Sequence, residues 1–180
     1  NFVENRHRGA FVICDASGRI IASGGDISRP VFPRSAIKSM QALAMLTTGA
    51  MDRFAITDEE LALACASHTG EDLHVAGVTH FLDHLGMALE NLECGAHAPT
   101  SPAAREALRQ RGEAPTVLHN NCSGKHSGML SVAKALGVSA EGYVEPGHPV
   151  QQAVRAAIET VIGEPLSTDR CGTDGCSIPT

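Results

Sequence analysis

The sequence predicts an α+β domain in which an early β-hairpin is followed by mostly helices. Three observations carry this. Two short apolar runs, Phe11-Val12-Ile13-Cys14 and Ile20-Ile21, flank the turn-forming Asp15-Ala16-Ser17-Gly18. From Ser35 onward, apolar residues recur at helical spacing and the segments close on glycines. Apolar residues make up 43% of the 180, too many for a disordered chain and enough for one core. With 3% aromatic residues, no Trp and one Tyr, that core must be built from Ala, Leu, Val and Ile. No repeat, low-complexity run or linker divides the chain, so residues 1–180 read as a single domain.

The first strand is expected over Gly9–Asp15 and the second over Arg19–Ser23, with Gly24-Gly25-Asp26 ending the hairpin. Pro30 and Pro33 hold the chain extended, because the residue before a proline avoids the helical region. A helix starts at Ser35 and runs to Thr48, with Ile37, Met40, Ala44 and Met45 at helical spacing and Gly49 as its stop. Thr57 caps a second helix, whose first turn, Asp58-Glu59-Glu60, suits the positive end of the helix dipole. It fades near Ser67–Gly70. A third helix runs from Glu71 to Leu85-Gly86, and Ser101-Pro102 opens a fourth that ends near Gln110. Thr116–His119 reads as a short strand and Asn120–Gly124 as a polar turn. A helix follows to Leu136, closed by Gly137, and Pro149 opens the last, ending at Ile162-Gly163. Leu166–Thr180 is rich in turn residues. Ser177–Thr180 reads as a segment entering another element, so more chain is expected to follow.

Composition excludes some classes. The net charge of −6, without a cluster of Lys and Arg, disfavours nucleic acid as a partner. No apolar stretch is long enough to span a bilayer, and Arg6-His7-Arg8 near the start has no apolar run of a signal peptide behind it. Six cysteines at irregular spacing then read as reduced thiols in the cytoplasm, some of them metal ligands.

Four segments carry chemistry. Ser35-Ala36-Ile37-Lys38 puts a hydroxyl and an amine on one helix face, their Cβ atoms ~5–6 Å apart. A serine needs a base to become a nucleophile, and a lysine serves once burial and the positive helix end lower its pKa. The competing reading is a capping serine and a surface lysine. The extended Pro33-Arg34 approach into an abrupt helix start weighs for the functional one. Ser67-His68-Thr69-Gly70-Glu71 offers a second serine or an oxyanion-binding amide in a loop between helices; by itself it reads better as an N-cap. Asn120-Asn121-Cys122-Ser123-Gly124-Lys125-His126 crowds a thiol, an amine and an imidazole at a helix start, where the dipole favours thiolate. The thiolate suits zinc, with Cys176 or Cys171 as a distant partner, or else it is a buried structural cysteine. Gly124-Lys125 is no phosphate loop, since His119 stands where the first glycine belongs. Asp174-Gly175-Cys176 is either a turn or a ligand beside a carboxylate that orients bound water. His80 and His84 share a helix face without a third partner and read as structural.

Taken in order, Glu4–Gly9, Arg29–Lys38, Cys65–Glu71, Asn121–His126 and Thr173–Pro179 resemble the rhizobial-type L-asparaginases, the asparaginase II family. The resemblance implies a fold similar to serine β-lactamases and glutaminases, and hydrolysis of L-asparagine to L-aspartate and ammonia. It places the nucleophile and its base at Ser35 and Lys38, with Ser67 a second catalytic serine close by. Either serine can be the attacking one on this reading. It adds Arg34 to the catalytic set and gives His126 to substrate binding. It implies a zinc ion on Cys122, Lys125 and Cys176, with Asp174 holding a zinc-bound water. Lys125 must be neutral to bind there. It also implies a homodimer and a longer protein, so residues 1–180 are expected to be an incomplete N-terminal fragment. A second lysine, the partner of Ser67, is expected in the remainder. Two other readings compete: a penicillin-recognising acyltransferase or β-lactamase, which also uses Ser-x-x-Lys, and a zinc-stabilised binding domain without catalysis.

Overall fold

Asp15 decides where the chain first turns back. Its Oδ1 accepts hydrogen bonds from the backbone N–H groups of Ser17 and Arg19 (2.9 and 3.0 Å) and from the Ser17 hydroxyl (2.6 Å). Gly18 supplies the left-handed residue, with φ +82°. The structure, a computed structural model, describes residues 2–167, 169 and 171–179. The predicted hairpin is present as β1 (Phe11–Cys14) and antiparallel β2 (Ile20–Gly24), with a bulge between Ile13 and Cys14. Phe11 pairs with Gly24, and its ring crosses that glycine: a Cβ there would lie 2.6 Å from the ring. Contacts divide the chain into two compact units, Asn1–Phe32 and Pro33–Thr180. In the first, both faces of the hairpin are apolar and exposed, with Phe11, Val12, Ile13, Ile20 and Ile21 all open to solvent.

The second unit holds seven α-helices among the described residues: α1 (Lys38–Thr47), α2 (Ala50–Arg53), α3 (Asp58–Cys65), α4 (Asp72–Leu85), α5 (Pro102–Arg111), α6 (Ser123–Leu136) and α7 (Pro149–Ile162). The class is α+β, as predicted. Helix α6 is the axis. Its residues from Ser123 to Ala133 are all buried, with α1, α3, α4 and α7 packed around it. A helix enclosed on every side has no polar stripe to lose. Its hydroxyls are satisfied internally, Ser127 donating to Ser123 O (3.0 Å) and Ser131 to Gly128 O (2.6 Å). Gly124 and Gly128 let neighbours approach closely: a Cβ would stand 2.3 Å from Leu63 O at the first and 3.0 Å from the Ala64 and Met45 side chains at the second. Met45, Phe81, Leu82, Leu85, Leu130, Tyr143 and Val150 complete the core.

Capping fixes α3 and joins it to α4. The Thr57 N–H donates to Glu60 Oε2 (2.8 Å) and the Glu60 N–H to Thr57 Oγ1 (3.3 Å). The other carboxylate oxygen lies 2.8 Å from His84 Nδ1 and 3.5 Å from His80 Nδ1. The third partner that sequence spacing did not supply for these histidines therefore comes from the preceding helix.

Some expectations need correction. The helix expected from Ser35 starts as a 3-10 turn, Arg34–Ile37, and α-helical bonding begins only at Lys38. Arg34 has φ +51°, a left-handed conformation that breaks the approach after Pro33. The strand expected at Thr116–His119 is a 3-10 turn, Val117–His119, closed by the Thr116 N–H donating to His119 Nδ1 (3.0 Å). Helix α2 and a 3-10 turn at Leu89–Asn91 were not foreseen; both are single turns, too short for periodicity to reveal. No described helix is long and apolar enough to cross a membrane.

Candidate active site

Lys38 opens α1 and is among the most enclosed side chains of the protein, 1% exposed. Its Nζ lies 2.6 Å from Ala66 O and 2.8 Å from Ser67 Oγ. Burial holds the Lys38 amine below the ordinary lysine pKa, against the opposing pull of the Cys122 sulfur. Ser67 follows the C-terminus of α3, and its side chain is exposed. The structure thus joins Lys38 to Ser67, whereas the sequence reading paired Lys38 with Ser35 and reserved for Ser67 a lysine outside residues 1–180. Ser35 stands on the 3-10 turn before α1, and both it and Arg34 are exposed.

The Ser67 loop is pinned on several sides. The His68 N–H donates to Asn121 O (3.1 Å), and the Ser101 N–H donates to Thr69 O (3.1 Å). The His68 ring is buried, with Nε2 2.8 Å from Ser123 Oγ and Nδ1 accepting from the Gly70 N–H (3.2 Å). It stacks on His74, with ring centroids 5.2 Å apart. Burial first, then the neighbouring His74, Lys38 and His119, lower its pKa from 6.5 to about 4. The folded His68 is therefore neutral where the unfolded one takes a proton. Its contribution is complete above pH 6.5 and is lost as pH falls towards 4. The linkage is about 3 kcal/mol across that window. Denaturant melts at pH 7 and 4.5 are expected to show this loss, and His68→Gln is expected to flatten that limb.

The third segment gathers around the start of α6. Asn120 Oδ1 accepts from the Cys122 N–H (2.8 Å), while its Nδ2 donates to Cys94 O (2.8 Å) and Gly95 O (3.1 Å). The Cys176 thiol lies 3.4 Å from the same Oδ1 and within hydrogen-bonding reach of the Cys122 sulfur. That thiol, then Lys125 and Lys38, hold the Cys122 pKa below the ordinary thiol value against the cost of burial, and Cys176 moves up in consequence. Lys125 Nζ, 3% exposed, pairs with Asp174 Oδ2 at 2.9 Å. Asp174 Oδ1 accepts from the N–H groups of Cys176 (2.8 Å) and Ile178 (3.0 Å), which folds residues 174–178 into a tight loop. Cys171 is exposed, its thiol turned to Gly172 O, so the partner of Cys122 is Cys176.

His126 lies one residue beyond Lys125. Tyr143 OH accepts the Glu93 N–H (3.0 Å) and lies 2.5 Å from His126 Nδ1, so the hydroxyl donates to the ring. The imidazole proton then sits on Nε2, which is buried and has no hydrogen-bond partner among the described residues. Burial lowers the His126 pKa to about 3, so the ring is neutral.

A bound metal would face this donor set. Among the described residues, no group of three His, Cys, Asp or Glu side chains is placed to hold one. Two thiols within hydrogen-bonding reach of each other and a buried amine nonetheless suit a borderline-soft divalent ion in donor chemistry. In this structure the amine is tied to Asp174, so metal binding requires loss of its proton.

The family model of L-asparaginase II matches residues 1–180, the whole chain. The chain belongs to the L-asparaginase II family. Membership makes it an asparaginase-type enzyme with L-asparagine as the implied substrate, in agreement with the sequence motifs. No curated protein matches the chain. Within this family member, structure adds His68, Asn120 and Tyr143 to the residues that motifs single out. The first two lie inside the flagged segments, but nothing local says what they touch. Tyr143 is distant in sequence, and its one clue is that it is the chain's only tyrosine.

Proposed function

We propose that this protein hydrolyses L-asparagine to L-aspartate and ammonia, with Ser67 as nucleophile and Lys38 as its base. The contact that supports this is Lys38 Nζ, buried and 2.8 Å from the hydroxyl of Ser67, an exposed residue. The neutral amine takes the Ser67 proton as Oγ attacks the side-chain carboxamide carbon. Collapse of the tetrahedral intermediate breaks the C–N bond, and the Lys38 ammonium returns the proton to the leaving nitrogen, releasing ammonia. Water, deprotonated by the same amine, then hydrolyses the aspartyl ester and frees Ser67. Ser35 and Arg34, on the turn before α1, are proposed to face the substrate. His126 Nε2–H, which has no partner among the described residues, is proposed to donate to one of its oxygens.

A zinc ion would be held by Cys122, Lys125 and Cys176, its charge offsetting the thiolate that favours protonated Lys38, with Asp174 orienting a water. Cys122→Ala is expected to abolish zinc in metal analysis of the purified protein; full occupancy in that variant contradicts the site. The serine β-lactamase and glutaminase type of fold is proposed on the family resemblance, with which a hairpin followed by helices is compatible. A cytoplasmic, homodimeric protein is proposed on the family resemblance and on six free cysteines; a monomer in sedimentation contradicts the dimer. The family match favours this reading over a penicillin-recognising enzyme or a zinc-stabilised binding domain. Ammonia release from L-asparagine, measured for wild type, Ser67→Ala and Ser35→Ala, tests the function. Loss in Ser67→Ala is expected, and unchanged release there removes Ser67 as nucleophile.

A further inference from the structure

We propose that His68 is a positioning residue for this hydrolysis, latching the Ser67 loop to the start of α6 through the Ser123 hydroxyl. The inference rests on the reading of Ser67 and Lys38 given above. From Ser67 to Gly70 the loop alternates: Ser67 and Thr69 are exposed, while His68 and Gly70 are buried. His68 is therefore the one side chain that anchors this stretch in the interior, and its direction sets the opposite direction of Ser67.

Every proton along the anchor is fixed by its neighbour. The Gly70 N–H donates to Nδ1 (3.2 Å), so the ring proton sits on Nε2 and points at Ser123 Oγ (2.8 Å). The Ser123 hydroxyl, accepting that proton's hydrogen bond, donates its own to Leu118 O (3.1 Å). Ser123 is buried and is the first residue of α6, next to Cys122 and two before Lys125. The same bond thus ties the nucleophile's loop to the helix turn that carries the thiol and the amine. The loop also packs closely at Gly70, where φ is +75° and a Cβ would meet His119 O and Pro99 at 3.0 Å.

The test is the rate at which phenylmethylsulfonyl fluoride labels Ser67, read by peptide mass. In that step the Oγ–S bond forms, fluoride leaves and the proton passes to Lys38, so no substrate is involved. His68→Leu keeps the bulk and removes the latch; His68→Gln restores an N–H donor near the position of Nε2. Labelling and kcat for ammonia release are both expected to fall about ten- to a hundredfold in His68→Leu, with KM unchanged and most of the loss recovered in His68→Gln. Ser123→Ala is expected to match His68→Leu, and the double variant to be no worse than either. Should His68→Leu not fold, the Gln and Ser123→Ala variants still decide. Wild-type labelling rates in Ser123→Ala, a Gln variant as slow as Leu, or no labelling of Ser67 in the wild-type chain would each overturn the proposal. If labelling follows the expected order while no variant, wild type included, releases ammonia from asparagine, the latch stands and the asparaginase reading falls.

Discussion

Lys38→Met is expected to lower kcat for ammonia release about a hundred- to ten-thousandfold, the usual effect of removing a general base. Methionine preserves the length and apolar stem of the lysine but removes the amine that lies 2.8 Å from Ser67 Oγ and 2.6 Å from Ala66 O. The site is almost fully enclosed, so an apolar side chain of similar volume fills the space, and the loss of the bond to Ala66 O is expected to be largely offset by no longer burying an amine. Stability and activity therefore separate in this variant. Steady-state kinetics beside a thermal melt decides: a large drop in kcat at unchanged Tm is expected. Near-wild-type kcat would mean that the buried amine is structural.

Gly124→Ala is expected to destabilise the helical unit strongly. The new Cβ would sit 2.3 Å from Leu63 O and 2.7 Å from Leu63 C, both backbone atoms of α3. Neither can rotate away, so α6 and α3 must separate along a contact that also positions Lys125 and, through α3, the Ser67 loop. A cost of about 3 kcal/mol is expected, or about 6–12 °C in Tm for a chain of this size. Gly77→Ala is the control. Its Cβ would also meet Leu63, at 2.8 Å, but at the tip of a flexible side chain, Cδ1. There the gain in helix propensity offsets the rearrangement, and the melt is expected to be nearly unchanged. Equal melting temperatures for the two variants would contradict the close approach of α3 and α6.

The same two positions show what sequence conveys and what it withholds. Local rules found the helices because their signals are local: Thr57 with Glu60 for a cap, Pro102 and Pro149 for starts, and Gly86, Gly137 and Gly163 for stops. They also found the hairpin, whose turn Asp15 and Gly18 specify within five residues. They misjudged the Ser35 turn because a left-handed Arg34 has no signature in a residue type that seldom adopts it. Thr116–His119 failed as a strand because an apolar pair in a short run cannot tell a strand from a turn. The site residues were visible as four separate segments. Their mutual placement was not, because each link joins residues far apart in sequence: Lys38 with Ser67, His68 with Ser123, Lys125 with Asp174, and Cys122 with Cys176. Spacing invited the pairing of Ser35 with Lys38, and only the fold brings a different hydroxyl to that amine.

In the proposed mechanism an acyl group forms during turnover, and its position decides which hydroxyl this is. Rapid acid quenching of the enzyme with excess L-asparagine, followed by peptide mass mapping, locates the aspartyl ester. The account requires the ester on Ser67 in the wild-type chain and none in Lys38→Met. An ester on Ser35, or one on Ser67 that survives the loss of Lys38, would contradict it.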